Sequence, residues 1–380
     1  GVPLKDGITK LLQKKEYLIP NFENISEIVA KFDKQITQED LQNIEKGNIA
    51  IISPLAPPIN GFFVVKHLPN IFGIETSQQR LYQENMNESL YQKFGLTIKE
   101  STKTFEDLRG YEIPKKELLK ALSLLKAGHI RKVLTLFLGV SGAGKSYFAE
   151  CLAGTLKKKI IYLDMGILME GENPIGRLND FFRFIQDYDD YVLLMDEIEK
   201  PANPDGEGAA ASMAKMYIGQ LLTIFNDLNT PNGYQIKDNP IIATANNIGA
   251  LLDQNPEFIN RFNLRYFIDY PAKENAIEIF DYYIKKSHIE GIKAEDLFYL
   301  SDIEYKETKP RELAGKNACV YAPREIFFLI EHLILASDEL VVTTDITKEV
   351  IKRNSPQSLY ASKGVLRTIA NGMSGFVTVD

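Results

Sequence analysis

The sequence predicts an α/β fold: a five-stranded parallel sheet with helices on both faces, followed by a small α-helical domain and preceded by a mixed α/β segment. Three observations predict it. Five short apolar runs (VLTLFLG, KKIIYLDM, YVLLMDE, PIIATAN and RYFIDYP) alternate with helical stretches, and runs apolar on both sides belong to strands buried on both faces. A glycine-rich loop of fixed spacing follows the first run, and a pair of carboxylates ends the third. The composition agrees, since 380 residues with 44% hydrophobic and 25% charged suffice for two or three domains with cores of their own.

In chain order, residues 1–100 read as a mixed α/β domain. It runs from ITQEDLQNIEKG, with Thr37 as a helix N-cap, to the two apolar runs that flank a Pro-rich turn in NIAIISPLAPPINGFFVVKHL. Residues 101–272 hold the sheet. A helix opens at Pro114, repeats apolar residues at Leu118, Leu119, Leu122 and Leu125, and closes at Gly128. The first apolar run then leads into Gly139-Val140-Ser141-Gly142-Ala143-Gly144-Lys145-Ser146, which matches G-x-x-x-x-G-K-[ST] at every fixed position. Strand, glycine loop and helix is the order that this phosphate-binding pattern requires. Glycines let backbone N–H groups converge on phosphate oxygens without Cβ clashes, and the helix points its positive dipole end at them. Gly142, Ala143, Gly144, Lys145 and Ser146 are therefore the candidate nucleotide-binding residues, with Lys145 reaching the β/γ-phosphates and Ser146 ligating Mg²⁺. The substring GVSGA also resembles the nucleophile elbow G-x-S-x-G, but Ala143 replaces the last glycine, so a serine hydrolase is the poorer reading.

The run YVLLMDE places Asp196 and Glu197 at a strand end, on the sheet edge onto which the phosphate loop also opens. One carboxylate there can hold the water shell of Mg²⁺, and its neighbour can orient or deprotonate an attacking water. Asp196 is assigned to the metal and Glu197 to the water; an exposed strand-end acidic pair is the structural alternative. From Lys273 the pattern turns helical (ENAIEIFDYYIKK, REIFFLIEHLILAS, DITKEVIKR), which predicts an α-helical domain over 273–353. The tail, 354–380, is rich in Ser and Gly and carries no firm signal.

The phosphate loop, the acidic pair and the residues that follow resemble the AAA+ ATPases, from about Thr104 to about Arg353. That resemblance implies the P-loop NTPase fold, ATP and Mg²⁺ as cofactors and ATP hydrolysis. It also implies self-association into a ring, most often a hexamer, that remodels, disassembles or activates a protein client. FEDLRGYEIPKKEL looks like the family's opening segment, in which backbone near a glycine, here Gly110, lies against adenine. Asn246 occupies the position of sensor 1, a polar side chain between the γ-phosphate and the attacking water. Arg261 matches the arginine finger that reaches a neighbouring subunit's ATP, and Arg324 looks like sensor 2 on the helical lid. A guanidinium placed on the transferring phosphoryl group is worth roughly 10³–10⁵ in rate, so a finger supplied in trans makes assembly part of the mechanism. Glu197, Asn246, Arg261 and Arg324 form the candidate catalytic set.

The match departs from the family at two places. Rings that thread polypeptide carry an aromatic-hydrophobic-glycine loop; here the stretch is Leu168-Met169-Glu170-Gly171-Glu172-Asn173, with Met169 at the aromatic position, and a plain strand-to-helix turn is the alternative. PANPDGEGAAASMAK is a second mobile loop or an inert one. The classical subgroup carries two arginines three apart, whereas here Asn260 precedes Arg261 and the next arginine, Arg265, is only a candidate for the second finger. A sensor 2 arginine such as Arg324 is also uncommon in that subgroup, so placement between the remodelling ATPases and the Clp and Lon unfoldases stays open. No protease motif follows the lid, and any peptidase is expected to be a separate partner.

The remaining signals bear on other classes. A formal net charge of −7 argues against a nucleic-acid loader. The short clusters Lys157-Lys158-Lys159 and His129-Ile130-Arg131-Lys132 read as charges at helix C-termini. A nucleotide-gated assembly switch with little turnover is the other alternative, and the presence of Lys145, Asp196, Glu197 and Arg261 speaks against it. His67, His129, His288 and His332 show no ligand spacing, and Cys151 and Cys319 make no disulfide framework. No apolar run approaches the roughly 20 residues that span a bilayer, and the N-terminus lacks a signal-peptide core, so a cytoplasmic location is expected.

Overall fold

A computed structural model describes residues 90–169, 173–202, 209–255, 257–305, 318–356 and 376–379. The mixed α/β domain expected over residues 1–100 lies outside these except for its last residues, as do Glu170, Gly171 and Glu172 of the Met169 loop. The chain divides into two units, Gly1–Lys93 and Phe94–Asp380, and the sheet and the helical domain both lie within the second.

Strands β1 (Leu96–Glu100), β2 (Leu134–Gly139), β3 (Lys159–Asp164), β4 (Tyr191–Asp196), β5 (Ile241–Ala245), β6 (Leu264–Ile268) and β7 (Val377–Val379) form one sheet in the order β1-β3-β4-β5-β2-β6-β7. The five expected strands are β2 to β6, and each runs parallel to its neighbours among them. Every residue of β2 and β5 is buried, as doubly apolar runs require. Two further strands extend the sheet: β1 pairs antiparallel with β3, Leu96 opposite Leu163, and β7 pairs parallel with β6, Tyr266 opposite Val377. Neither is evident in the sequence, because LTIKE ends on two exposed charged residues and VTV is three residues long. Pairing makes them strands.

Helix α1 (Glu112–Lys126) precedes β2, α2 (Lys145–Leu156) links β2 to β3, and α3 (Met165–Met169) and α4 (Pro174–Ile185) link β3 to β4. The long α5 (Ala209–Asp227) follows β4, and the short α6 (Gly249–Gln254) follows β5. The main core lies against the sheet, where Phe137 and Phe148 meet with ring centroids 4.8 Å apart and Tyr111 packs on Phe148 at 5.6 Å. Burying such side chains contributes about 1.5–3 kcal/mol each. At the carboxyl end of β2 there is no room for a side chain: a Cβ on Gly139 would stand 2.2 Å from the Ile268 carbonyl oxygen.

Among the described residues four helices, α7 (Lys273–Lys286), α8 (Ala294–Glu304), α9 (Pro323–Ala336) and α10 (Thr344–Arg353), close around a second core that includes Phe280, Leu297, Tyr321, Leu329 and Ile351. Backbone bonds tie this helical part to the sheet, from Cys319 N to Pro271 O at 2.9 Å and from Arg324 N to Gly142 O at 3.1 Å. The second bond joins the start of α9 directly to the phosphate loop. Among the described residues, no helix is long and apolar enough to cross a membrane.

Candidate active site

The strand order brings the site together. Because β5 is inserted between β2 and β4, the chain after β5 emerges between the glycine loop after β2 and the acidic end of β4. Asn246 is the residue at that point, and its side chain spans the gap. Asn246 Oδ1 accepts from Lys145 Nζ at 2.8 Å, while Asn246 Nδ2 donates to Glu197 Oε1 at 3.1 Å. Beside it Ser146 Oγ donates to Asp196 Oδ1 at 2.9 Å, and Thr244 Oγ1 donates to the same oxygen. Five sequence-predicted residues, Lys145, Ser146, Asp196, Glu197 and Asn246, are thus within one connected network, closed by Thr244.

The loop is shaped by its glycines. Gly144, with φ 97, turns the chain into α2, and a Cβ on it would meet the Tyr111 hydroxyl at 3.1 Å. That hydroxyl donates to the Ala143 carbonyl and braces the loop from the opposite wall. Gly142, with φ 78, faces Arg324 and Ala322 across the interface with α9.

Lys145 is buried, and it turns back on its own loop. Its ammonium donates to Gly139 O at 2.9 Å and Val140 O at 2.8 Å as well as to Asn246, so all three of its hydrogens are used. Burial pushes its pKa down to about 8, against the upward pull of Glu199, Asp196 and Glu197. A phosphate at the loop would replace part of this set. Glu199 is a third carboxylate, 5% exposed, whose Oε1 accepts from Asn246 N at 2.8 Å and whose Oε2 is buried without a hydrogen-bond partner. Burial holds its carboxyl above the usual range.

A cleft of about 600 Å³ opens over the loop, with Ser141 to Ser146, Asp196, Glu197, Thr244 and Asn246 on its floor. Its far wall is apolar and aromatic, with Leu108 and Tyr111 joined by Ile279, Tyr282, Tyr283 and Phe327 of the helical part. Such a wall suits a flat heteroaromatic ring while the loop takes charged groups. Gly110, buried with φ 72, does not itself line the cleft; Leu108, Arg109 and Tyr111 around it do. Arg324 lines the cleft from the second position of α9, with its guanidinium 5.8 Å from the centre of the Phe328 ring. Arg261 does not line its own chain's cleft. It ends the 3₁₀ turn Phe258–Arg261, pairs with Glu257 at 3.7 Å, and has a buried Nε without a partner. Arg265 donates to Asn260 Oδ1 at 3.2 Å.

Thr244, Glu199 and Tyr111 were not evident in the sequence. Thr244 sits inside an apolar strand, Glu199 reads as one more acid after a stronger pair, and Tyr111 reaches the loop across 32 residues. The donors at the floor, a hydroxyl and a carboxylate, are the hard oxygens that Mg²⁺ takes. Among the described residues no group of three or more His, Cys, Asp or Glu could hold a metal.

A glycine loop between strand and helix, with an acidic strand end and a polar strand end beside it at the carboxyl edge of a parallel sheet, defines the P-loop NTPase class. Residues 135–270 match the sequence model of the AAA family, described as the ATPase family associated with various cellular activities. The chain is 27% identical over 215 residues to an ATP-dependent zinc metalloprotease FtsH of Karelsulcia muelleri (strain DMIN), a match that covers 52% of this chain and 33% of the relative. It is also 27% identical over 155 residues to the uncharacterized AAA domain-containing protein ycf46 of Guillardia theta, covering 40% of this chain and 29% of that protein. These matches therefore span about a third of the relatives' length. In fold the chain is similar to the crystal structure of the FIGL-1 AAA domain, with a TM-score of 0.54 and 16% identity over 78% of this chain and 98% of that one. The chain carries an AAA ATPase domain, and its matched region runs from the second residue of β2 to the residues just after β6.

Proposed function

We propose that this protein hydrolyses Mg-ATP in a cleft completed between subunits of a ring, and that it uses the turnover to remodel, disassemble or activate a protein client. The observation that carries the catalytic part is Asn246, hydrogen-bonded at once to Lys145 and Glu197. One side chain thereby connects the group proposed for the phosphates to the group proposed for the water. Gly142 to Ser146 bind the phosphates, Ser146 and Asp196 hold Mg²⁺, and the apolar wall takes the adenine, with Gly110 keeping the chain close to it. Mg²⁺ neutralises charge on the phosphate oxygens. Glu197 orients the attacking water and accepts its proton, Asn246 fixes Glu197, and Arg324 couples the nucleotide to the lid. Arg261, which does not line its own chain's cleft, reaches the ATP of a neighbour in a ring of six.

Residues 1–100, 101–272, 273–353 and 354–380 are read as client-binding domain, nucleotide-binding domain, lid and tail, except that β1 (Leu96–Glu100) and β7 (Val377–Val379) go with the nucleotide-binding sheet. The AAA family match and the ATP-dependent relative named as FtsH support the ATPase part; the client and the threading role of Met169 are further proposals.

The test is ATP hydrolysis per subunit, with Mg²⁺, over a wide range of protein concentration. A rate that climbs to a plateau is expected, because a cleft completed in trans works only in the assembly. A rate that is independent of concentration at full activity removes Arg261 from that role. Glu197→Gln is expected to keep ATP binding, lose hydrolysis and lengthen the life of the assembly.

A further inference from the structure

Glu197 closes β4 with a left-handed backbone, φ 53, and both of its carboxylate oxygens are engaged. Oε1 accepts from Asn246, and Oε2 is paired with Lys200 Nζ. The pairing is built into the backbone. Glu197 N donates to Thr244 Oγ1 at 3.1 Å and Ile198 N to Thr244 O at 3.0 Å, which pins the chain after β4 to β5. Lys200 N then donates to Glu197 O at 3.0 Å, and this turn brings the lysine side chain back over the carboxylate. On its other side the Lys200 stem lies near the start of α3, where a Cβ on Gly166 would stand 3.8 Å from Lys200 Cδ.

A carboxylate that orients an attacking water needs a free lone pair on the oxygen that meets it. Each oxygen keeps a second lone pair, but with the Lys200 ammonium on one and Asn246 on the other the plane of the carboxylate is fixed, and it turns to meet a water only when one of them lets go. We propose that Lys200 is a positioning residue that restrains Glu197, so that water attack proceeds only from the fraction of molecules in which the Lys200–Glu197 pair is open. This rests on the reading of Glu197 as the water-orienting carboxylate. The side chains are 54% and 36% exposed, and a pair so open to solvent is weak, so the restraint is adjustable rather than a lock. Its position between the hydrolytic carboxylate and α3 also lets a movement of α3 reach Glu197 by shifting one side chain.

The experiment uses the full chain at plateau concentration and saturating Mg-ATP. Lys200→Met and Lys200→Gln are expected to raise kcat roughly two- to fivefold, the range that a weak exposed pair allows, with the Kd for ATP unchanged. Lys200→Arg, which keeps the cation, returns kcat toward that of the parent. Added salt screens the pair, so the ratio of Lys200→Met to parent turnover falls toward one as ionic strength rises, a response that a merely structural lysine does not give. Adding Glu197→Gln to Lys200→Met abolishes the gain. A kcat that is unchanged or lowered in both uncharged variants, or a ratio indifferent to salt, overturns the proposal. Turnover that survives Glu197→Gln in the parent overturns the underlying reading of Glu197 instead, so the two failures are told apart.

Discussion

Lys145 carries a measurable signature of its surroundings. Burial lowers its pKa to about 8, whereas a lysine in an unfolded chain titrates near about 10.4. Between those values the unfolded chain holds a proton that the folded one has released, so this group makes stability rise with pH across that window. Phosphate favours the charged form, and the linkage to ligand has the opposite sign. ATP affinity is full below about pH 8 and falls by roughly tenfold per unit above it, until the lysine of the complex also titrates. Calorimetric titration at pH 7 and pH 9 reads this directly, and equal affinities would remove Lys145 from the phosphates. Asn246→Ala tests the next residue in the network. It takes the donor from Glu197 and the acceptor from Lys145, and a loss of about 10²-fold in kcat with ATP still bound is expected, as for other polar groups that organise a transition state. A fall in affinity alone would make Asn246 a structural residue of the loop.

At the scale of elements, the site depends on strands that approach one another very closely. Gly139 ends β2 where a Cβ would stand 2.2 Å from the Ile268 carbonyl oxygen of β6, and a backbone contact of that kind cannot be relieved by rotating a side chain. Gly139→Ala is expected to cost about 3 kcal/mol or more and to lower the thermal midpoint by several degrees, measured by calorimetry. It should also damage the phosphate loop, because Gly139 O is one of the acceptors that hold Lys145. The helical part presents a different case. Its contact with the loop is the backbone bond from Arg324 N to Gly142 O, joined by cleft-lining side chains such as Tyr282 and Phe327, so the angle of α9 and the shape of the loop are mechanically linked.

At the scale of the molecule, Arg261 is the residue proposed to act on a neighbouring chain. Its absence from its own cleft supports the reading in which it acts in trans. Mixing Arg261→Ala subunits with Glu197→Gln subunits tests this without altering any intact cleft. Each variant alone is expected to be inactive, while an equal mixture restores about a quarter of the sites by random assembly in a ring, since an intact Glu197 then meets an intact Arg261 from next door. A mixture as inactive as its components would place both residues in one subunit's site.

Much of this arrangement was legible in the chain itself. Doubly apolar runs predicted β2 to β6 because a strand buried on both faces leaves no position for a polar residue, and the spacing of Gly139 to Ser146 predicted the loop because few other residues fit that backbone. Asp196 and Glu197 were legible as the acidic end of such a strand. The order of the strands was not, and it is the order that sets Asn246 between Lys145 and Glu197, since hydrogen bonds between parallel strands join residues far apart in sequence. For the same reason only the tertiary structure could enlist Thr244, Glu199, Tyr111 and Lys200, and add β1 and β7 to the sheet. Local pattern determines what each segment becomes; long-range pairing decides which side chains meet, and the chemistry of this cleft arises from those meetings.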